Sequence, residues 1–129
     1  MKPQDRQADN ETDNAIAVHV MGWYWQHDGL GNMAWFAHDE PVETGWGEGG
    51  VGYYKRREFR PSVDIAAAFA VLEHFTWPLF YTRLIRTDRG GWRCDIELNG
   101  GDGPNRSASA DTAPLAICRA ALAAVGVDK

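Results

Sequence analysis

The sequence predicts one α+β domain on three grounds. Its 129 residues fit the usual span of a single domain, roughly 100–150 residues. One segment alternates in period two, with Trp92, Cys94, Ile96 and Leu98 against Arg93, Asp95 and Glu97. Two Ala-rich segments, opening near Ser62 and Ala113, carry apolar residues at helical spacing instead. The hydrophobic fraction of 44% and charged fraction of 24% are those of an ordinary globular chain. No apolar run approaches the ~18 residues that span a bilayer.

The first twelve residues are polar with no apolar face, so residues 1–12 are expected to be a disordered tail and 13–126 the folded domain. With both charge signs present, the N-terminal stretch does not read as a secretory signal. A short helix is expected from Thr12 to Met21. Ile16 with Val20, and Ala17 with Met21, stand at i,i+4, and Gly22 supplies a left-handed cap. Trp23-Tyr24-Trp25 and Met33 to His38 read as a hairpin across two glycine-containing turns. Glu40 to Gly52 reads as loop and holds five of the fourteen glycines. Tyr53 to Arg60 reads as extended, because Pro61 disfavours helix in the residue before it.

The second helix takes Ser62 as N-cap and Asp64 in its first turn, with Ile65, Phe69 and Leu72 as a buried stripe leading to Phe75. Pro78 prevents its continuation. Leu79 to Arg86 and Trp92 to Leu98 form a hairpin around Thr87-Asp88-Arg89-Gly90-Gly91. Pairing Leu84 with Cys94 and Phe80 with Leu98 keeps one face apolar and sets Arg83 opposite Asp95. A slip of one residue loses both features. Arg106 to Ala110 follows as a short edge strand. The last helix, Ala113 to Val125, is capped by Asp111 or Thr112, carries Pro114 in its first turn and buries Leu115, Cys118, Leu122 and Val125. Beyond their first turns these two helices hold one charge each, Glu73 and Arg119. Small residues all round allow packing on two sides, against the sheet and each other or against a second subunit, so a homo-oligomer is one option.

Thirteen basic against eighteen acidic residues give a net charge of −5, which argues against duplex nucleic acid as partner. Two cysteines suit a reducing compartment and read as small buried hydrophobes. The four histidines form no close-spaced pair, so neither metal nor cofactor is implied. No nucleophile motif is present, and a non-enzymatic protein is expected. Gly45-Trp46-Gly47-Glu48-Gly49-Gly50 spells a dinucleotide fingerprint but lacks the strand before and helix after it; it reads as a loop whose Trp46 would serve as a lid.

Tyr53 to Arg60 concentrates four cations and three aromatics in eight residues and runs into the start of the second helix. Arginines grip phosphates and aromatic faces stack on bases. The expected ligand site is therefore Arg56, Arg57, Arg60 and Ser62 for phosphate, with Trp23, Trp25, Trp46, Tyr53 and Tyr54 for a base. The alternative is a solvated strand whose arginines pair with nearby acids.

Met21-Gly22-Trp23, Pro61 to Phe69 and Asp111 to Leu122 resemble the phage ABA-sandwich domain, a family of small proteins of tailed phages and prophages. The likeness spans Ala15 to Val125 and departs from the family at the Glu40–Gly52 loop and the basic run after it. It implies an αβα-layered sandwich with a mostly antiparallel sheet and three helices, acting in the host cytoplasm. It brings no catalytic residues. The expected function is a phage accessory protein that counters host defence by sequestering a nucleotide-derived signal, a cyclic nucleotide or an ADP-ribose derivative. Alternatives are an inhibitor or adaptor acting on a host protein, and a phosphodiesterase for the same ligands.

Overall fold

A computed structural model describes residues 6–27, 33–37, 40–42, 59–75, 80–98 and 106–126. The first helix, α1 (Asn10–Ala15), opens at Asp9, whose carboxylate accepts the Thr12 N–H at 2.8 Å. It widens into a π-helical turn, Ile16–Val20, that buries Ile16, Ala17 and Val20. Gly22 closes it at φ +72°, the left-handed cap that the sequence requires. The structure corrects the expected start. Arg6 is buried and its carbonyl accepts the Arg119 Nε–H at 2.7 Å, so the chain is tied to the domain at Arg6, ahead of the exposed residues 7–11. Thr12 and Asp13 are also buried. A polar composition conceals such anchoring, because the partners stand more than a hundred residues away.

Strands β1 (Tyr24–His27) and β2 (Met33–Ala37) form the expected antiparallel hairpin, with Trp25 opposite Trp35. The presumed loop at Glu40 begins instead with a two-residue strand, β3 (Glu40–Pro41), paired to the end of β2. A proline is tolerated there because an edge strand does not need its missing N–H. The second sheet is β4 (Phe80–Arg86), β5 (Trp92–Leu98) and β6 (Arg106–Ala110), all antiparallel. Its register is the expected one: Phe80 faces Leu98, Leu84 faces Cys94, and Arg83 faces Asp95. Arg83 Nη2 donates to Asp95 Oδ2 at 2.9 Å. The fold is thus an α+β sandwich, with three α-helices among the described residues and their strands divided between two antiparallel sheets.

Helix α2 (Ile65–Leu72) corrects two further expectations. Its N-cap is Asp64, whose carboxylate accepts the Ala66 N–H, so Ser62 lies in the turn before the helix. Its buried face is Ala67, Ala68 and Val71, continuing to Phe75. Ile65 and Phe69 are 42% and 44% exposed, and Leu72 is half-buried. The small side chains face inward because they let α2 approach α3 (Ala113–Ala124) closely, and larger residues would hold the helices apart.

Helix α3 is capped by Thr112, with Pro114 in its first turn. Leu115, Cys118 and Leu122 are buried as expected, but so are Ala116, Ile117, Ala120 and Ala121. Val125 follows the last turn and is exposed. The helix packs on β5 and β6, on α2 and on the π-helical turn. The core joins its Ile117 and Leu122 to Ile16, Trp35, Phe59, Val71 and Ile96. Both cysteines are free and buried, and burial pushes the Cys94 thiol up to about 12.

Helix α2 and the turn that follows it make a testable contrast. Phe75→Ala is expected to cost about 3–5 kcal/mol in urea unfolding. Phe69→Ala is expected to cost under about 1 kcal/mol, since its ring is half in water. Equal costs would restore the Ile65–Phe69–Leu72 stripe as the buried one.

Candidate functional site

The aromatic and basic residues singled out in the sequence meet only in part. Trp23 packs on Phe59 with centroids 4.6 Å apart, and Trp25 meets Trp35 edge-on at 5.1 Å. Trp35 is 2% exposed, whereas Trp23 and Trp25 are half-buried around it. These rings therefore give much of their area to one another. Phe59 leads directly to Arg60 and Ser62. Both meet Asp13, a buried carboxylate that accepts the Ser62 backbone N–H at 2.8 Å and faces Arg60 Nε at 3.5 Å. Ser62 is fully buried, and the backbone donor that a phosphate would need is already engaged. Trp46, Tyr53, Tyr54, Arg56 and Arg57 lie outside the described residues.

A second place was not singled out. A cleft of about 380 Å³ opens where the β4–β5 turn, the end of β6, the first half of α3 and the N-terminal segment converge. The turn is well fixed: Thr87 N–H donates to the Gly91 carbonyl at 2.9 Å, and Gly91 N–H returns to Thr87 Oγ1 at 3.1 Å. Gly91 also needs its missing side chain, because a Cβ there would stand 2.9 Å from the Ala110 carbonyl oxygen. Trp92 lines the cleft and carries the Arg86 guanidinium 5.3 Å from its ring centroid.

Three charged side chains line this cleft: Arg89, Asp111 and Arg119. Arg119 is half-buried and fixed by two backbone carbonyls, Nε to Arg6 at 2.7 Å and Nη1 to Ser109 at 2.8 Å. Among the described residues no carboxylate neutralises it. A guanidinium has five N–H groups, so these bonds leave three for a ligand. Arg89 and Asp111 are exposed, and among the described residues neither is hydrogen-bonded or ion-paired. Such a cleft can hold an anion on a cation already oriented by the backbone. The sequence did contain one signal for it: Arg119 is the lone charge on an otherwise apolar helix, and a cation in that position needs polar partners.

A family model for the phage ABA sandwich domain matches residues 14–122. The chain belongs to that family. The match makes it a small phage protein, and it takes in every residue lining the cleft except Gln7. No curated protein and no solved structure matches the chain. Among the described residues no helix is long and apolar enough to cross a membrane.

Two buried aspartates provide a check on this electrostatic picture. Burial dominates at Asp13 and raises its carboxyl above the ordinary 3.8, the bonds from Ser62 and Arg60 holding the rise back. At Asp95 burial pushes the same way. There the Ser107 hydroxyl at 2.6 Å and the flanking Arg83 and Arg93 outweigh it and hold the carboxyl below 3.8. Stability from Asp95 is thus present above pH 3.8 and lost as pH falls through its lower folded value. Stability from Asp13 is full below pH 3.8 and lost as pH rises through its higher folded value. Carboxyl NMR titration is expected to place Asp13 above 3.8 and Asp95 below it. Asp95→Asn is expected to destabilise at pH 7 and to lose that effect in acid, whereas Asp13→Asn is best tolerated at pH 7. The reverse order would contradict the hydrogen-bonding described.

Proposed function

We propose that this phage protein is a non-catalytic binding protein that counters host defence by sequestering a small phosphorylated, nucleotide-derived signal. The cyclic nucleotides and ADP-ribose derivatives are the classes that fit, met in the host cytoplasm. Arg119 carries the reading: a half-buried cation, oriented by two carbonyls and ion-paired to no carboxylate among the described residues, in a cleft with a second arginine and a tryptophan. The phosphate is assigned to this cleft and not to Ser62 and Arg60, because Ser62 is fully buried with its backbone N–H on Asp13, and the Arg60 Nε–H faces that same carboxylate. Trp23 and Trp25 then act mainly in packing.

Thermal-shift screening of the purified protein against these ligand classes tests the proposal. A ligand at 100 times its dissociation constant is expected to stabilise the fold by about 2.7 kcal/mol, a rise of several degrees in Tm. Arg89→Ala is expected to weaken binding about tenfold with Tm of the free protein unchanged, and Arg60→Ala to leave affinity within about twofold. Intact ligand released on heating supports sequestration; a cleaved ligand makes the protein a phosphodiesterase. Affinity that follows Arg60 and ignores Arg89 returns the site to the basic segment.

A second reading has its own observation. Val63, Ile65 and Phe69 are exposed at and just before α2, and exposed apolar groups so close together suit a host-protein contact or a second subunit. A stable complex with a host protein, lost in Phe69→Glu and indifferent to nucleotides, would favour it.

A further inference from the structure

The cleft also carries information about what accompanies the phosphate. Besides Arg89 and Arg119 it is lined by Asp111, and no ion pair joins that carboxylate to either arginine. Helix capping does not occupy it, since the cap of α3 is the neighbouring Thr112, whose Oγ1 accepts the Leu115 N–H at 3.4 Å. The cleft therefore holds donors for an anion and, separately, a carboxylate acceptor that a second phosphate would meet with repulsion. The complementary ligand has one anionic group and, next to it, neutral hydroxyl donors. A ribose with both hydroxyls free supplies two such donors that a single carboxylate can accept together. Size sets a further bound: about 380 Å³ lies near the lower end of ligand-site volumes, roughly 300–1,000 Å³, and suits one nucleotide unit better than two.

Resting on the cleft as the phosphate site, we infer that it recognises one ribonucleoside phosphate unit with a free 2′,3′-diol, Arg89 and Arg119 holding the phosphate and Asp111 the diol. Trp92 contributes the apolar wall. This narrows the two proposed classes toward the ADP-ribose derivatives, because a 3′,5′-cyclic phosphate has only the 2′-hydroxyl free for that carboxylate. A larger ligand is accepted when such a unit stands at one end and the remainder projects into solvent.

Calorimetry with the four ribonucleoside 5′-monophosphates, their 2′-deoxy counterparts and inorganic phosphate tests the assignment on the wild type, Arg89→Ala and Asp111→Asn. Both substitutions are at exposed positions, so the fold is expected to survive them. In the wild type the best ribonucleotide is expected to bind about tenfold or more tighter than its deoxy form, since a hydrogen bond to a charged partner is lost. Asp111→Asn is expected to bring the two within about twofold. Arg89→Ala is expected to weaken both equally and keep their ratio. Phosphate binding without discrimination between ribose and deoxyribose would overturn the diol assignment and leave the cleft as an anion site. A preference that survives Asp111→Asn would overturn the role of that residue. Equal strengthening of all ligands by Asp111→Asn would make the carboxylate merely repulsive. Failure of every nucleotide and of phosphate would remove both this inference and the cleft as the phosphate site.

Discussion

Helix α3 is the element on which the remaining structure depends, because it is buried on nearly every side. The sheet β4–β6, helix α2 and the π-helical turn after α1 all rest on it. Only small side chains permit that, and alanines at 116, 120 and 121 hold the neighbours close. The same burial constrains its one charge. Arg119 has no open water on all sides, so its guanidinium takes backbone carbonyls from β6 and from the N-terminal segment. That requirement ties Arg6 to the domain, and it leaves a cation oriented toward a cleft.

Sequence pattern was most informative where one period and one charge pair agreed. In β5 the alternation of Trp92, Cys94 and Ile96 with Arg93, Asp95 and Glu97 allowed a single register against β4, and Arg83 beside Asp95 confirmed it. Pro114 in the first turn of α3 was equally plain, and of the two caps left open, Asp111 and Thr112, the helix takes Thr112. Helix α2 was misread because size was taken as a guide to burial. Its Ile65 and Phe69 stand out in the sequence, but close packing on α3 selects Ala67 and Ala68. The N-terminal segment and Ser62 were misread for a related reason: Arg6 meets Arg119, and Asp13 meets Ser62 across 49 positions. No local rule reports such distant pairs.

The candidate site shows the same division. Base-stacking tryptophans and phosphate-gripping arginines were read from composition, yet Trp23, Trp25, Arg60 and Ser62 are engaged by Phe59, Trp35 and the buried Asp13. The cleft instead draws residues from four separate stretches, and none of them forms a motif. Its only trace in the sequence was Arg119 on an apolar helix. A fixed cation lowers the cost of holding an anion, because its side chain is ordered before the ligand arrives.

Observing the arginine Nε–H and tryptophan indole N–H signals by NMR during ribonucleotide titration tests the central claim most directly. The account predicts that the Arg119 Nε–H and the Trp92 indole shift together and saturably, with Trp23 and Trp25 unmoved. Shifts at Trp23 and Trp25 with Arg119 unchanged would contradict it and place the ligand against the aromatic cluster beside Phe59.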